Sequence, residues 1–301
     1  MLKIHLRPAF EDYRSDRLTA EVLSEWERKL ADAIAEGTLS PKSFNHLVAL
    51  MHVILVWARK RGQRYLSHDP LADVSRLRVP RIERRFLEPA EITALLEAAE
   101  APVDTILYLA VYSGLRRGEL FGLQWGDLDE EANQIRVRRS NYQGVLTTPK
   151  TKHSERTVDL PTRIVTLLQE YRTDYPPKKG DYIFRTDTGT PMDPDNWFGR
   201  FFVPTAIKAK LRAATPSEAG DDEQLVGLHT LRHTYASLLI NQGESIKYVS
   251  KQLGHASINI TADLYGHLFK ETSVSAMNRL SMRIPGAASG NVVEMATGTD
   301  G

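Results

Sequence analysis

The stretch from Gly227 to His267 places charged and imidazole side chains inside an otherwise apolar helical pattern. Its first part has apolar residues at helical spacing, which predict a buried stripe: Leu228, Leu231, Tyr235, Leu238 and Leu239. His229, Arg232 and His233 fall at i, i+3 and i+4, so they share a neighbouring face of the same helix. Core packing alone does not explain such a polar group in this pattern.

The same stretch predicts two further helices. Ser245 can cap the second helix, and Gly254 is typical of its end, which places His255 at a helix exit. Tyr265 falls on the third helix. Two histidines at i, i+4 can hold a metal, but the zinc-protease pattern needs Glu where this chain has Thr230, and the chain has no cysteine. We therefore expect no metal and no cofactor, and a phenol surrounded by imidazoles and a guanidinium instead favours chemistry on a phosphate.

Composition excludes several classes of protein. The chain of 301 residues is 42% hydrophobic and 26% charged, which is ordinary for a globular protein. No apolar run is long enough to span a membrane, and Lys3, His5 and Arg7 interrupt any secretory signal. The absence of cysteine excludes disulfides and favours a cytoplasmic location. The net charge of +1 means that any nucleic-acid contact must come from local clusters of basic residues.

Residues 1–75 are predicted to form a small helical domain. Thr19 suits the cap of a first helix that ends at Gly37, and Ser40 and Pro41 open a second helix. Residues 76–85 contain five arginines and one glutamate and are predicted to be a linker between domains. Two interpretations of this linker stay open: a solvated connector, or a basic strap that lies against phosphates.

Residues 86–284 are predicted to form a second domain with mixed structure, and residues 285–301 a flexible tail. A helix opens at Pro89, and the nearly apolar segment 103–112 predicts a buried central helix. Alternation predicts short strands around Ile135, over 145–148 and over 156–160, with a polar hairpin tip at 149–154. Helices are predicted again from Pro161 and over 195–211. The fold class is therefore mainly α with a small antiparallel β-sheet (α+β).

Four segments, in this order, resemble the motifs of the tyrosine recombinase (phage integrase) family, most closely its phage-type integrases. They are Ser113–Leu120 (SGLRRGEL), Pro149–Pro161 (PKTKHSERTVDLP), His229–His233 (HTLRH) and Leu253–His267 (LGHASINITADLYGH). The resemblance covers roughly residues 86–270. It implies that the second domain is the catalytic domain and that residues 1–75 are the core-type DNA-binding domain. Phage-type members carry a further helix, and often an arm-site DNA-binding domain, before the point where this chain begins.

The resemblance implies a role for each of six catalytic residues. Tyr265 would attack a DNA phosphodiester to form a 3′-phosphotyrosine, with Arg116 and Arg232 holding the nonbridging oxygens. Lys150, or Lys152 in another hairpin register, would protonate the leaving 5′ oxygen. His229 would act as general base and acid on the tyrosine side. His255 would donate a hydrogen bond to a phosphate oxygen.

Each of these residues also has a structural interpretation when taken alone. Arg116 can simply pair with Glu119 at a helix end, and Tyr265 can be a core residue. Glu119 is expected to orient the basic groups, His233 to form a satisfied polar pair with Arg232, and His267 to be structural. The catalytic interpretation is favoured because all four motifs point to one reaction.

The expected function is site-specific DNA recombination, which integrates or excises a mobile element. The expected partner is double-stranded DNA, bound by a homotetramer, with possible accessory DNA-bending proteins and no membrane. Basic residues around the sheet are expected to line a clamp on the duplex: Arg136, Arg138, Arg139, Lys150, Lys152, Arg156 and Arg163. Two alternatives stay open, a DNA-relaxing enzyme like type IB topoisomerases and a truncated integrase that binds DNA without completing recombination.

Overall fold

A computed structural model of the chain describes residues 1–14, 17–60, 71, 74–79, 84–142, 144–147, 155–178, 180–213 and 226–269. The chain divides into two compact units, Met1–Ile82 and Glu83–Gly301. The predicted tail 285–301, the polar segment 149–154 and part of the predicted linker lie outside the described residues. Within the described ranges, no helix has both the length and the apolar character needed to cross a membrane.

The first unit is helical, as the sequence predicts. It contains α1 (Arg7–Phe10), α2 (Ala20–Ala35) and α3 (Pro41–Lys60), and a turn of π-helix, Leu2–Leu6, precedes α1. The Thr19 hydroxyl accepts the Val22 N–H at 3.4 Å, which confirms the predicted cap of α2. The sequence predicted no element before this cap. The short helical turns at the start form because Leu6, 3% exposed, packs into the core of this unit.

The second unit is built from helices around one large core. Its helices are α4 (Pro89–Ala98), α5 (Val103–Ser113), α6 (Arg117–Leu120), α7 (Thr162–Asp174), α8 (Pro194–Trp197), α9 (Val203–Lys208), α10 (Leu228–Asn241), α11 (Ile246–Leu253) and α12 (Ile258–Tyr265). The predicted central helix is α5, whose Ile106, Leu107 and Leu109 are fully buried. The predicted helix over 195–211 is instead divided, because a π-helical turn, Phe198–Phe202, separates α8 from α9.

Two small antiparallel sheets accompany the helices, which confirms the predicted fold class. The first sheet has the order β1 (Leu128–Asp129), β2 (Gln134–Val137), β5 (Arg156–Asp159), and the second pairs β3 (Ser140–Tyr142) with β4 (Val145–Thr147). The predicted strands are present, but β5 pairs with β2 and not with β4. The predicted hairpin between β4 and β5 is therefore wrong for the described strands. Ile135 pairs with Val158 in the buried centre of the first sheet.

Candidate active site

The turn after α5 brings two arginines to one place. Gly114 ends α5 in the left-handed conformation, with φ +59°, and an added Cβ would lie 2.3 Å from the Tyr235 ring on α10. Only glycine therefore allows this close approach. The Gly114 carbonyl accepts a hydrogen bond from the Arg232 guanidinium at 2.6 Å, and Arg116 caps the next helix two residues further on.

Arg232 is a buried cation held by backbone carbonyls. It is 3% exposed, and its two terminal nitrogens donate to the carbonyls of Gly114 and Leu253. Burial lowers the pKa of Arg232 to about 9, and the neighbouring charges of Arg116 and Arg156 act in the same direction. The guanidinium still carries its charge at neutral pH. No carboxylate forms an ion pair with it among the described residues, so this charge remains available to an anion.

Glu119 is the carboxylate that holds the other two guanidiniums. Its Oε1 accepts from Nη1 of Arg116 at 2.7 Å and from Nη1 of Arg156 at 3.0 Å, and its Oε2 accepts from Nη2 of Arg156 at 2.8 Å. Burial by itself would raise the pKa of Glu119, but the hydrogen bond and charge of Arg156, followed by those of Arg116, lower this pKa to about 2. Glu119 therefore orients the arginines, as the sequence predicts.

The two guanidiniums that bind Glu119 differ in exposure. The Arg116 side chain is 40% exposed and also donates to the Gly254 carbonyl at 2.9 Å, so part of it faces solvent. The Arg156 side chain is only 4% exposed, and its Nε donates to the Gln252 carbonyl at 2.8 Å. Arg116 can therefore contact an incoming ligand, whereas Arg156 ties β5 to α6 and to the end of α11.

The Tyr265 hydroxyl meets a histidine of α10. Tyr265 is the last residue of α12 and is 2% exposed, and its Oη lies 2.5 Å from Nδ1 of His233. Burial raises the pKa of Tyr265 to about 12, against the opposing charges of Arg232 and Arg84. Burial, followed by the charges of His229 and Arg84, lowers the pKa of His233 to about 3. The phenol and the imidazole are therefore both neutral at pH 7.

Two more histidines complete the group. His229 is exposed, and its ring lies perpendicular to the His233 ring with centroids 5.0 Å apart. Nδ1 of His255 lies 2.8 Å from the hydroxyl of the buried Thr261. Burial, then the charges of Arg232 and Arg116, lowers the pKa of His255 to about 4. The pKa of His229 is also lowered, by the partial loss of water around its ring and then by the charge of Arg232.

A cleft of about 460 Å³ opens beside His255 and is lined by nine residues. Its basic lining groups, besides the histidine, are Arg156, Lys247 and Lys251, and Glu155 is its acidic one. The lysines lie one helical turn apart on α11 and so present a common face. This surface is suited to negatively charged ligands next to the buried arginines.

The structure brings together five of the six predicted catalytic residues: Arg116, His229, Arg232, His255 and Tyr265. The sixth, Lys150, and its alternate Lys152 lie outside the described residues. The sequence assigned His233 a structural role and did not anticipate its contact with the Tyr265 hydroxyl. His233 directly follows Arg232 on the buried side of α10, and this position in the sequence could have indicated a role in the site.

The arginines that were predicted to line a DNA clamp around the sheet form ion pairs within the chain. Each described arginine of that set has a carboxylate within 4.0 Å: Arg136 with Asp129, Arg138 and Arg139 with Asp127, Arg156 with Glu119, and Arg163 with Glu170. The prediction that Arg156 lines the clamp is wrong because its guanidinium is buried. Strand alternation contained this information, since Arg156 shares its face of β5 with the fully buried Val158.

Comparison with known proteins agrees with this geometry. Residues 85–272 match the family model described as "Phage integrase family". The chain therefore belongs to the phage integrase family, the class of tyrosine recombinases.

Three relatives show the range of similarity. A "Tyrosine recombinase XerC-like" protein of Caldanaerobacter subterraneus subsp. tengcongensis is 31% identical over 64% of this chain and 52% of its own length. The "ICEBs1 integrase" of Bacillus subtilis is 27% identical over 92% of this chain and 74% of its own length. The "Prophage integrase IntR" of Escherichia coli is 26% identical over 81% and 61%. The chain thus spans between half and three quarters of these relatives.

Solved structures share the fold. The Tn1549 transposon integrase in complex with transposon right end DNA superposes with a TM-score of 0.71 at 23% identity, covering 93% of this chain and 92% of that one. A lambda integrase dimer bound to a COC′ core site has a TM-score of 0.63 at 17% identity, covering 86% and 84%. At these identities the likeness establishes the fold, which is that of tyrosine recombinases.

Proposed function

We propose that this chain is a site-specific DNA recombinase that cuts and rejoins DNA through a 3′-phosphotyrosine and so integrates or excises a mobile element. The observation that carries the proposal is the excess of buried positive charge beside a buried phenol. Arg116, Arg156 and Arg232 have one carboxylate contact among the described residues, Glu119. A buried cation without a carboxylate partner costs free energy, so a site of this kind is built for an anion.

The reaction follows from the groups present. The oxygen of Tyr265 attacks phosphorus, the bond to the 5′ oxygen breaks, and the DNA end is joined to the enzyme as a phosphodiester. Because the phosphotyrosine keeps the bond energy, rejoining needs no ATP. Arg116 and Arg232 stabilise the charge that gathers on the nonbridging oxygens. No metal is needed for this stabilisation, because preorganised guanidiniums supply it.

The remaining roles concern protons and hydrogen bonds. His255, at the edge of the basic cleft, donates a hydrogen bond to a phosphate oxygen, and Thr261 orients its ring. By the resemblance to the family, the general base and acid on the tyrosine side would be His229. Lys150, or Lys152, protonates the leaving 5′ oxygen.

The proposed partner is double-stranded DNA that carries attachment sites. The named relatives are integrases and recombinases, and the Tn1549 and lambda integrases are bound to DNA in their structures. We propose a homotetramer on two DNA sites as the active assembly, with accessory DNA-bending proteins where the sites require them. The reaction would take place in the cytoplasm, on chromosomal or element DNA.

The test is covalent capture on nicked DNA. A pool of nicked duplexes with randomised core sequence is incubated with the protein, and adducts are separated on a denaturing gel and sequenced. Wild type is expected to form an adduct and Tyr265→Phe none. Tyr171→Phe is the matched control, since Tyr171 is also buried, at 4% exposure, but lies on α7 with its ring against Tyr175 and Phe184, and it should form the adduct.

The outcomes separate the alternatives. An adduct that survives in Tyr265→Phe would disprove this assignment of the nucleophile. Relaxation of supercoiled plasmid without recombinant products would favour the topoisomerase-like alternative. DNA binding without an adduct across the whole pool would favour the truncated, binding-only protein.

A further inference from the structure

The hydroxyl of Tyr265 has one hydrogen-bond partner among the described residues, and that partner is His233. The two atoms, Oη and Nδ1, lie 2.5 Å apart, whereas His229, whose ring centroid is 5.0 Å from that of His233, makes no hydrogen bond to the phenol. The residue that resembles the family's first histidine is therefore not the residue that contacts the nucleophile here.

The direction of this hydrogen bond follows from the surroundings. A neutral phenol needs an acceptor for its hydrogen, and within the described residues no other acceptor lies within hydrogen-bond distance of the Tyr265 oxygen. The phenol therefore donates to Nδ1, which requires the His233 proton to sit on Nε2.

We propose that His233 is a catalytic residue, whose Nδ1 takes the proton of Tyr265 as the phenol oxygen attacks phosphorus. This inference rests on the proposed function. In the step, the Oη–H bond breaks and an Nδ1–H bond forms, while the Oη–P bond forms and the bond from phosphorus to the 5′ oxygen breaks. The leaving oxygen takes a proton from the general acid, Lys150 by resemblance. On rejoining, the His233 imidazolium returns its proton to the phenol oxygen.

The burial of the three side chains decreases from Tyr265 through His233 to His229. Tyr265 is 2% exposed and His233 is 7% exposed, whereas His229 is exposed to solvent. His229 presents its ring perpendicular to that of His233, at 5.0 Å between centroids. His229 is therefore the more solvent-accessible neighbour of His233, and the Tyr265 proton passes to His233 and not to His229.

The neighbouring charges explain why the proton moves only with DNA bound. The cationic or titratable groups that lower the pKa of His233, after burial, are His229 and Arg232 on α10, His255 after α11 and Arg84 before α4. A phosphate in the site would offset these positive charges and favour the imidazolium. In free protein these charges and burial keep His233 neutral, while burial keeps the Tyr265 phenol protonated against the charges of Arg232 and Arg84.

The first experiment separates holding the phenol from accepting its proton. His233→Asn keeps a polar atom close to the position of Nδ1 but cannot accept a proton, and His233→Phe removes both functions. Single-turnover adduct formation is expected to fall about 100-fold or more in both variants, the size of effect typical of a lost general base. Tyr171→Phe, which changes a buried residue of α7 that packs against Tyr175 and Phe184, is the control and should match wild type.

The pH profile and the leaving group sharpen the test. The rate of His233→Asn should rise roughly tenfold per pH unit, since the phenol must then ionise by itself, while wild type stays flat above pH 5. A substrate with sulfur in place of the leaving 5′ oxygen needs no acid, so it should not rescue His233→Asn. A wild-type rate in His233→Asn, or rescue by sulfur, would overturn the proposal.

The second experiment needs no DNA. Nitrogen-15 NMR of the histidine rings, with the His233 signals identified by their loss in His233→Asn, reports which nitrogen carries the proton. The proposal requires the Nε2–H form at pH 7, and the Nδ1–H form would overturn it. If wild type forms no adduct on any DNA, the proposed function fails and the catalytic role of His233 fails with it, whereas the Nδ1–H form in this spectrum overturns the proton transfer to His233 alone.

Discussion

The substitution Glu119→Gln tests whether one carboxylate organises the arginines. Glu119 is 5% exposed and its ordinary pKa of 4.5 is lowered to about 2 in the folded chain. At roughly 1.4 kcal/mol per pKa unit, this shift corresponds to about 3 kcal/mol of stability at pH 7. The variant keeps the shape of the side chain but leaves Arg156, whose side chain is 4% exposed, without its counter-charge. Loss of about 3 kcal/mol is therefore expected, in the range for a broken buried ion pair.

The pH dependence gives this prediction its sign. Because the folded pKa of Glu119 lies below the unfolded value, its contribution is present above pH 4.5 and is lost as pH falls towards about 2. The stability difference between wild type and Glu119→Gln should stay constant from pH 7 to about pH 5 and shrink below that. Contributions of the histidines are common to both proteins and cancel in this difference.

The assay must report on the second unit alone. Hydrogen exchange followed by mass spectrometry, over a urea series and restricted to peptides of residues 83–269, gives the unfolding free energy at pH 7, 5 and 3.5. The control Glu170→Gln breaks an exposed ion pair with Arg163, whose side chains are 58% and 69% exposed, and should cost no more than about 1 kcal/mol. Equal stability of wild type and Glu119→Gln at pH 7, or a difference that persists unchanged to pH 3.5, would refute the reasoning.

Three further predictions concern the same site. Gly254→Ala should destabilise the second unit by about 2 kcal/mol or more, because φ is +62° and an added Cβ would lie 2.7 Å from Cδ of Arg156. Gly243→Ala, with φ +88° and open space, should cost only about 1 kcal/mol, and equal urea midpoints for the two variants would contradict the clash. The wild-type unfolding free energy should fall as pH decreases from 6.5 towards 4, because the pKa of His255 is lowered to about 4 and the unfolded chain takes up the proton first. The measurement is the unfolding free energy from urea titrations at several pH values. If it falls with pH as steeply in His255→Gln as in wild type, His255 does not contribute to this pH dependence. Thr261→Val removes the hydroxyl that lies 2.8 Å from Nδ1 of His255, and it should lower stability by about 1 kcal/mol and slow adduct formation. Thr261→Ser should restore both. If Thr261→Val formed adducts at the wild-type rate, Thr261 would not position His255.

Much of the fold was readable from local patterns. Caps and stops involve residues within a few positions of each other, so Thr19, Ser245 and Gly254 could be placed from sequence, and the structure has all three in these roles. The buried helix α5 followed from its continuous apolar run. The order of helices and strands agreed because periodicity is a local property of the chain. The divided helix near Phe198 did not follow, because apolar patterning does not distinguish an α-helical turn from a π-helical turn.

Pairing between distant segments was less accessible. β5 pairs with β2 and not with β4, which places Val158 opposite Ile135 in the core. A hairpin was predicted because β4 and β5 are neighbours in the sequence, and sequence order alone does not give this pairing. Arg156 belongs to a buried network with Glu119, 37 residues earlier, and no local pattern gives this contact. Only its shared strand face with Val158 pointed to burial.

The sequence by itself determined the types of groups at the site, because the four motifs carry arginines, histidines and a tyrosine in a recognisable order. Tertiary structure decided how these groups divide the work. Packing of α12 against α11, and of α11 against α10, brings His233, 32 residues before Tyr265, to the phenol oxygen and leaves His229 exposed. Burial then keeps the imidazoles and the phenol neutral. The neighbouring cations act in the same direction on the imidazoles and in the opposite direction on the phenol.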